Sequence, residues 1–131
     1  MKLLIVVDAN PIVSALIGGV SREVFFKRTF RFATSEFTIE EVRKFIPYIS
    51  DKSGVEISEI ERALSLLPLK IYKRKDYINK VREAEKLIKH LDEKDVDVLA
   101  LSMKLNVPLW THDRHFKGIK VVAIVRTKDL I

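Results

Sequence analysis

Short apolar runs alternate along this chain with longer stretches in which apolar residues recur every three to four positions. Leu3 to Val7 is an unbroken run rich in branched residues, the pattern of a strand buried on both faces. Pro11 to Ile17 reads as the start of a helix, broken at Gly18-Gly19, and Ser21 is placed to cap a second helix through about Thr29. Phe30 to Thr34 predicts a short strand. Thr38-Ile39-Glu40-Glu41 has the spacing of a capping box and opens a helix carrying Val42, Phe45, Ile46 and Ile49. Ser58-Glu59-Ile60-Glu61 repeats that pattern and opens a helix ending near Pro68, before a third strand over Leu69 to Tyr72. A charged helix follows over roughly Tyr77 to Leu91. Asp92 to Asp95 opens another, with Val98, Leu99, Leu101, Met103 and Leu105 along it and Asn106 suited to its left-handed C-cap. Val107 to Thr111 and Lys120 to Val125 complete the strands. Strands alternating with helices predict the α/β class with a mainly parallel sheet. No repeat, low-complexity tract or Gly/Pro-rich linker interrupts the pattern, so residues 1–131 are expected to form a single domain.

In such a sheet, functional groups gather beyond the carboxyl ends of the strands. Asp8 follows the first strand and Asp113 the fourth, so two acids far apart in sequence can meet at one edge. Asp8 is equally suited to capping the next helix, a task that Asn10 could take instead. Glu41 is the third residue after Thr38, where a glutamate commonly reaches back to the backbone, and Glu40 is its alternative. Asp92, Glu93, Asp95 and Asp97 crowd a helix start, which the helix dipole by itself favours. Asp95 shares a face with Leu99 and Ser102, Asp97 with Leu101 and Lys104. Asp95 is preferred as a ligand, with Asp97 as a second ligand or a neighbour. Carboxylates that converge repel unless a cation lies among them. Oxygen ligands select Mg²⁺ or Mn²⁺, ions that can activate water against a phosphodiester.

The apolar share of 47% supports a packed core, and 32% charged residues supply a solvated surface. The formal charge of +6 favours polyanions. Lys70-Ile71-Tyr72-Lys73-Arg74-Lys75 is the densest basic run, with Tyr72 and Tyr77 placed to stack on a base while the cations hold phosphates. A solvated strand end is the competing account. Arg22, Lys27, Arg28 and Arg31 form a second basic group, and Arg114 and His115 stand beside Asp113. The absence of cysteine excludes disulfides, thiolate zinc sites and cysteine nucleophiles. His112 and His115 have only His90 as a further histidine, so a histidine zinc site is disfavoured. Gly18-Gly19 lacks the context of a phosphate loop. No apolar run is long enough to span a bilayer and no secretion signal is visible, so a cytoplasmic protein without membrane attachment is expected. The lack of glutamine matches a thermophile tendency.

At these residues the chain resembles the PIN-domain family, which includes VapC-type toxins of toxin–antitoxin pairs. Val6-Val7-Asp8-Ala9-Asn10 resembles the family's first motif, Thr38-Ile39-Glu40-Glu41-Val42 its second, Asp95 to Leu101 its third and Leu109-Trp110-Thr111-His112-Asp113 its fourth. The resemblance covers nearly the whole chain. It implies a Rossmann-like three-layer α/β/α domain with strand order 3-2-1-4-5, and divalent-metal-dependent cleavage of single-stranded RNA. It further implies a homodimer and, for a toxin, an antitoxin protein partner. Asp8, Asp95 and Asp113 would be metal ligands, Glu41 would position or deprotonate water, and Asn10 and Thr111 would support them. Lys73, Arg74, Lys75, Arg114 and His115 are the nucleic-acid-binding candidates. One residue departs from the pattern: Pro11 removes a backbone donor beside the first motif. A non-catalytic module binding RNA or protein on the same fold is the alternative function.

Overall fold

The computed structural model describes residues 2–88 and 93–131. Five strands form one sheet in the order β3-β2-β1-β4-β5, every neighbouring pair parallel. They are β1 (Leu3–Val7), β2 (Phe30–Ser35), β3 (Leu69–Tyr72), β4 (Leu109–Trp110) and β5 (Ile124–Val125). The helices are α1 (Ala9–Leu16), α2 (Ser21–Phe25), α3 (Glu36–Ser53), α4 (Ile57–Leu66), α5 (Ile78–Leu87), α6 (Glu93–Leu105) and α7 (Thr127–Leu130). Two 3₁₀ turns lie at Arg74–Asp76 and Arg114–Phe116. The class, the parallel sheet and its order are those expected. The expected helix end at Leu91, with His90 and Asp92, falls outside the described residues.

The apolar run of β1 has two faces to cover because successive side chains point to opposite sides of a strand. Ile5 and Val7 enter a core built with α1 to α4, while Val6 enters a second core built with α5 and α6. Phe32 and Ala33 of β2 divide the same way, as do Trp110 and Leu109 of β4. Phe25, Phe32 and Trp110 form a tilted aromatic cluster, with ring centroids 4.9 to 5.7 Å apart. The indole N–H of Trp110 donates to Thr127 Oγ1 at 3.1 Å, which ties α7 to the core. Among the described residues no helix is long and apolar enough to cross a membrane.

Helix starts differ from those expected, because the opening N–H groups find other acceptors, a serine one turn earlier in α3 and backbone carbonyls in α2 and α4. Ser35, rather than Thr38, caps α3: its Oγ accepts from the Thr38 N–H at 3.0 Å. The helix therefore opens a turn early, and Glu41 lies in its second turn. Ser21 is the first residue of α2 rather than its cap. The carbonyls of Gly19 and Val20 already accept from Arg22 and Glu23 at 3.0 and 3.1 Å, so no hydroxyl is needed. The turn that delivers them needs glycine, since a Cβ at Gly19 would collide with the Ser14 side chain and press its carbonyl oxygen at 3.0 Å. α2 also stops at Phe25, short of Thr29. Ser58 is likewise inside α4, where the Glu56 carbonyl accepts from both Glu59 and Ile60. The last two strands are shorter than Val107 to Thr111 and Lys120 to Val125, and α7 is an element the pattern did not predict.

Replacing Ser35 with alanine removes the α3 cap and is expected to cost about 1 kcal/mol. Urea unfolding reads this as a lower midpoint at unchanged slope. Thr38→Ala, which leaves the capping oxygen in place, should cost less.

Candidate active site

Asp8 leaves β1 at the carboxyl edge of the sheet and caps α1. Its Oδ1 accepts from the Ala9 N–H at 2.8 Å, and its Oδ2 accepts from the Thr111 hydroxyl at 2.7 Å. Thr111 Oγ1 in turn accepts from the Asp113 N–H at 3.0 Å. A single hydroxyl thus joins the first and fourth motifs across the sheet. From β2, buried Thr34 donates to the Val7 carbonyl at 2.7 Å and fixes the strand end that carries Asp8. Capping therefore belongs to Asp8; Asn10 instead accepts from the His112 N–H at 3.3 Å. Pro11 sits in the first turn of α1, where backbone N–H groups lack helical partners in any case, so its missing donor costs little.

Asp8, Glu41, Asp95 and Asp113 line one cavity of about 360 Å³, walled on its apolar side by Val13, Ile17 and Phe45. They arrive from the end of β1, the second turn of α3, the first turn of α6 and the segment after β4. Glu41 makes no capping box, because α3 is capped at Ser35. Its Oε1 lies 3.6 Å from Lys94 Nζ. Asp95 is buried, and its Oδ2 lies 2.7 Å from His115 Nδ1. The same ring nitrogen is 3.4 Å from Asp113 Oδ1. One donor atom from each of Asp95, Asp113 and His115 falls within a 4.8 Å group able to hold an ion.

Asp97 faces an adjacent cavity of about 390 Å³ together with Glu40, Glu41, Lys44, Arg74 and Lys94. Its Oδ1 accepts from the Tyr77 hydroxyl at 2.7 Å and lies 3.4 Å from Arg74 Nε. Burial raises the Asp97 carboxyl above its ordinary range, an effect opposed by the Tyr77 hydroxyl and the Arg74 charge. Burial and the neighbouring Asp97 push the Tyr77 hydroxyl upward as well. Tyr77 is fully buried in the second core and offers no face to a base, contrary to the stacking role its place in the basic run suggested. Arg74 lies over the Phe37 ring at 5.9 Å, and Lys73 and Lys75 are exposed around the same turn. Arg114 lines a third cavity beside Asp113, with Lys117 and Arg126. His112 turns away to Thr127, with Nε2 2.6 Å from Oγ1; burial, with Arg126 nearby, lowers its pKa.

Sequence reasoning missed Lys94 as the partner of Glu41 and Tyr77 as the partner of Asp97. The alternation of acid and base at Glu93-Lys94-Asp95 was the available signal for the first. Nothing local marks the second, since the pair is made by packing α5 on α6.

A family model described as a PIN domain matches residues 6–130. Among solved structures, VapBC-1 from nontypeable Haemophilus influenzae is similar at a TM-score of 0.68 and 18% identity, covering 96% of this chain and 99% of that one. A toxin–antitoxin complex from Klebsiella pneumoniae is similar at 0.66 and 21%, covering 90% and 94%. PAE2754 from Pyrobaculum aerophilum is similar at 0.65 and 18%, covering 98% and 86%. No curated protein matches the chain.

Tyr77→Phe deletes the hydroxyl that serves Asp97 and should destabilise the fold by about 1–3 kcal/mol at neutral pH. The sign with pH follows from the raised Asp97 pKa. The fold favours the protonated acid, so that contribution is full below the unfolded value and lost as pH rises through the folded one. Without its donor the carboxylate form is penalised further. The variant's deficit should therefore shrink on going from pH 7 to about pH 4, as read from urea midpoints. An equal deficit at both would show that the hydroxyl does not serve the ionised acid.

Proposed function

The chain belongs to the PIN-domain family, and on that premise we propose that it is a divalent-metal-dependent endoribonuclease of single-stranded RNA and the toxin of a toxin–antitoxin pair. The observation that carries this reading is the meeting of Asp8, Glu41, Asp95 and Asp113 in one cavity from four separate elements. Such a set is costly to assemble unless a cation neutralises it. The donors fit Mg²⁺ or Mn²⁺: they are hard carboxylate oxygens at the mouth of a solvent-reaching cavity, with Asp8 and Asp95 buried and oriented by hydrogen bonds. Asp8, Asp95 and Asp113 would hold the ion, which when bound would supply charge stabilisation to a phosphodiester and lower the pKa of water.

The chain's own groups account for the remaining steps. Glu41, held toward Lys94, orients a water and takes its proton as the water oxygen bonds to phosphorus and the P–O bond to the leaving ribose oxygen breaks. Thr111 keeps Asp8 and Asp113 in register, and Asn10 anchors the His112 backbone beside them. Lys44, Arg74 and Lys94 line the cavity next to the acidic one, exposed Lys73 and Lys75 flank Arg74 in the chain, and Arg114 lines a third cavity with Asp113. These would receive the phosphates flanking the cut. Ile17 and Phe45, 56% and 44% exposed, wall the cavity with apolar surface that suits a protein partner. The similar structures from Klebsiella pneumoniae and Haemophilus influenzae are described as toxin–antitoxin and VapBC complexes. An antitoxin covering this mouth, a homodimer and a cytoplasmic site of action complete the proposal, with residues 1–131 working as one nuclease unit.

Purified protein is expected to cut single-stranded RNA with Mn²⁺ or Mg²⁺ and to stop on addition of EDTA. Asp8→Asn and Asp113→Asn should each lower the rate by roughly a hundredfold or more while the circular dichroism spectrum stays unchanged. Full activity in both variants would refute the assignment. A salt-sensitive RNA complex without turnover at any metal concentration would turn it into a binding module.

A further inference from the structure

The 3₁₀ turn after β4 is built in a way that aims one imidazole into the carboxylate cluster. Asp113 caps it, accepting from the His115 N–H at 2.9 Å, and Phe116 anchors its far end in the second core with no exposed surface. Between those two fixings the His115 ring is carried toward the first turn of α6. Its Nδ1 stands 2.7 Å from Asp95 Oδ2 and 3.4 Å from Asp113 Oδ1. We infer that His115 Nδ1 is a ligand of the divalent ion alongside Asp95 and Asp113, and that it tilts the site toward Mn²⁺ over Mg²⁺. This rests on the metal-dependent reading of the cavity and adds a nitrogen to its oxygen set.

Two observations support it. The first is spacing. Neighbouring ligands on one octahedral ion, bonded at about 2.1 Å, lie about 3 Å apart. The two nitrogen–oxygen separations bracket that value, and all three donor atoms fall within 4.8 Å of one another. The second is that the same nitrogen faces carboxylates from two different elements. A lone N–H serves one acceptor well, whereas a shared cation serves both and the nitrogen too. His112, two residues after Trp110, shows the contrast: its ring is turned to Thr127 and stays outside the cluster.

The chemistry of the third donor sets the preference. Mg²⁺ takes oxygen and retains its waters, while imidazole suits first-row transition ions. Replacing one oxygen corner by nitrogen therefore weakens the claim of Mg²⁺ more than that of Mn²⁺.

Electron spin-echo spectroscopy of the Mn²⁺-loaded protein provides the test, because a directly bonded nitrogen modulates the echo. Modulation is expected in the wild type and in His112→Ala, and its loss in His115→Ala. His115 is a tolerant place for the change, its side chain being 43% exposed. Calorimetric titration with each metal alone should show the Mn²⁺ dissociation constant of His115→Ala raised about tenfold, with Mg²⁺ affected less. Bound Mn²⁺ with no nitrogen modulation in the wild type, or modulation that survives His115→Ala, overturns the inference and leaves the oxygen site standing. Failure of Mn²⁺ to bind at all would remove both.

Discussion

Like charges held at close range repel, and the arrangement of this protein is organised around containing that repulsion at one edge of its sheet. Each acid of the cavity is offset by a group that also builds the fold. Asp8 takes the Ala9 N–H that opens α1 and the hydroxyl of Thr111. Asp95 lies in the first turn of α6, where the helix dipole favours negative charge, and meets His115. Asp113 accepts the backbone N–H of the turn it caps, and Glu41 faces Lys94. None of these is large: a helix N-terminus contributes about 0.3–1 kcal/mol and a partly exposed ion pair about the same or less. Together they let the acids stand close in the folded chain while leaving a net negative cavity for a cation. Among the described residues no buried side-chain nitrogen or oxygen lacks a hydrogen-bond partner, so the polar cluster does not weaken the core through unmet groups.

The sheet supplies the rigidity this needs. β1 lies between β2 and β4, and its end is held from both sides, by Thr34 on the Val7 carbonyl and by Thr111 on the Asp8 carboxylate. The cations sit differently. Lys75 lies in a 3₁₀ turn that Lys73 immediately precedes, and Lys94 extends from a helix start, so the groups proposed to meet the substrate backbone have more freedom than the acids. A charge that only steers a polyanion tolerates that freedom, whereas metal ligands do not.

Much of this could be read from the chain alone, because strands and their faces depend on local pattern. The run Leu3 to Val7 and the strand expected over Val107 to Thr111 carried enough information to place Asp8 and Asp113 at the same edge. Caps were harder. Ser21, Thr38 and Ser58 all have the right residue type at helix starts, yet a cap also requires the chain to enter the helix at that residue. At α2 and α4 backbone carbonyls already served the opening N–H groups, and at α3 Ser35 stood one turn earlier. Asp95 and Asp97 could not be separated by periodicity because α6 is buried on every side from Asp95 to Ser102. Only the packing of α5 shows that Asp97 turns to Tyr77 and Arg74. The direction of His115 was equally hidden, being set by Phe116 and the Asp113 cap together.

The strand order has a bearing on synthesis as well. β4 slots in beside β1, which was made about a hundred residues earlier, and brings Asp113 and Thr111 with it. A nascent chain still short of that strand holds Asp8 and Glu41 but has nothing to close the far side of the cavity. On the proposed function, a chain still short of β4 has no finished site to turn on the RNA of the ribosome that makes it.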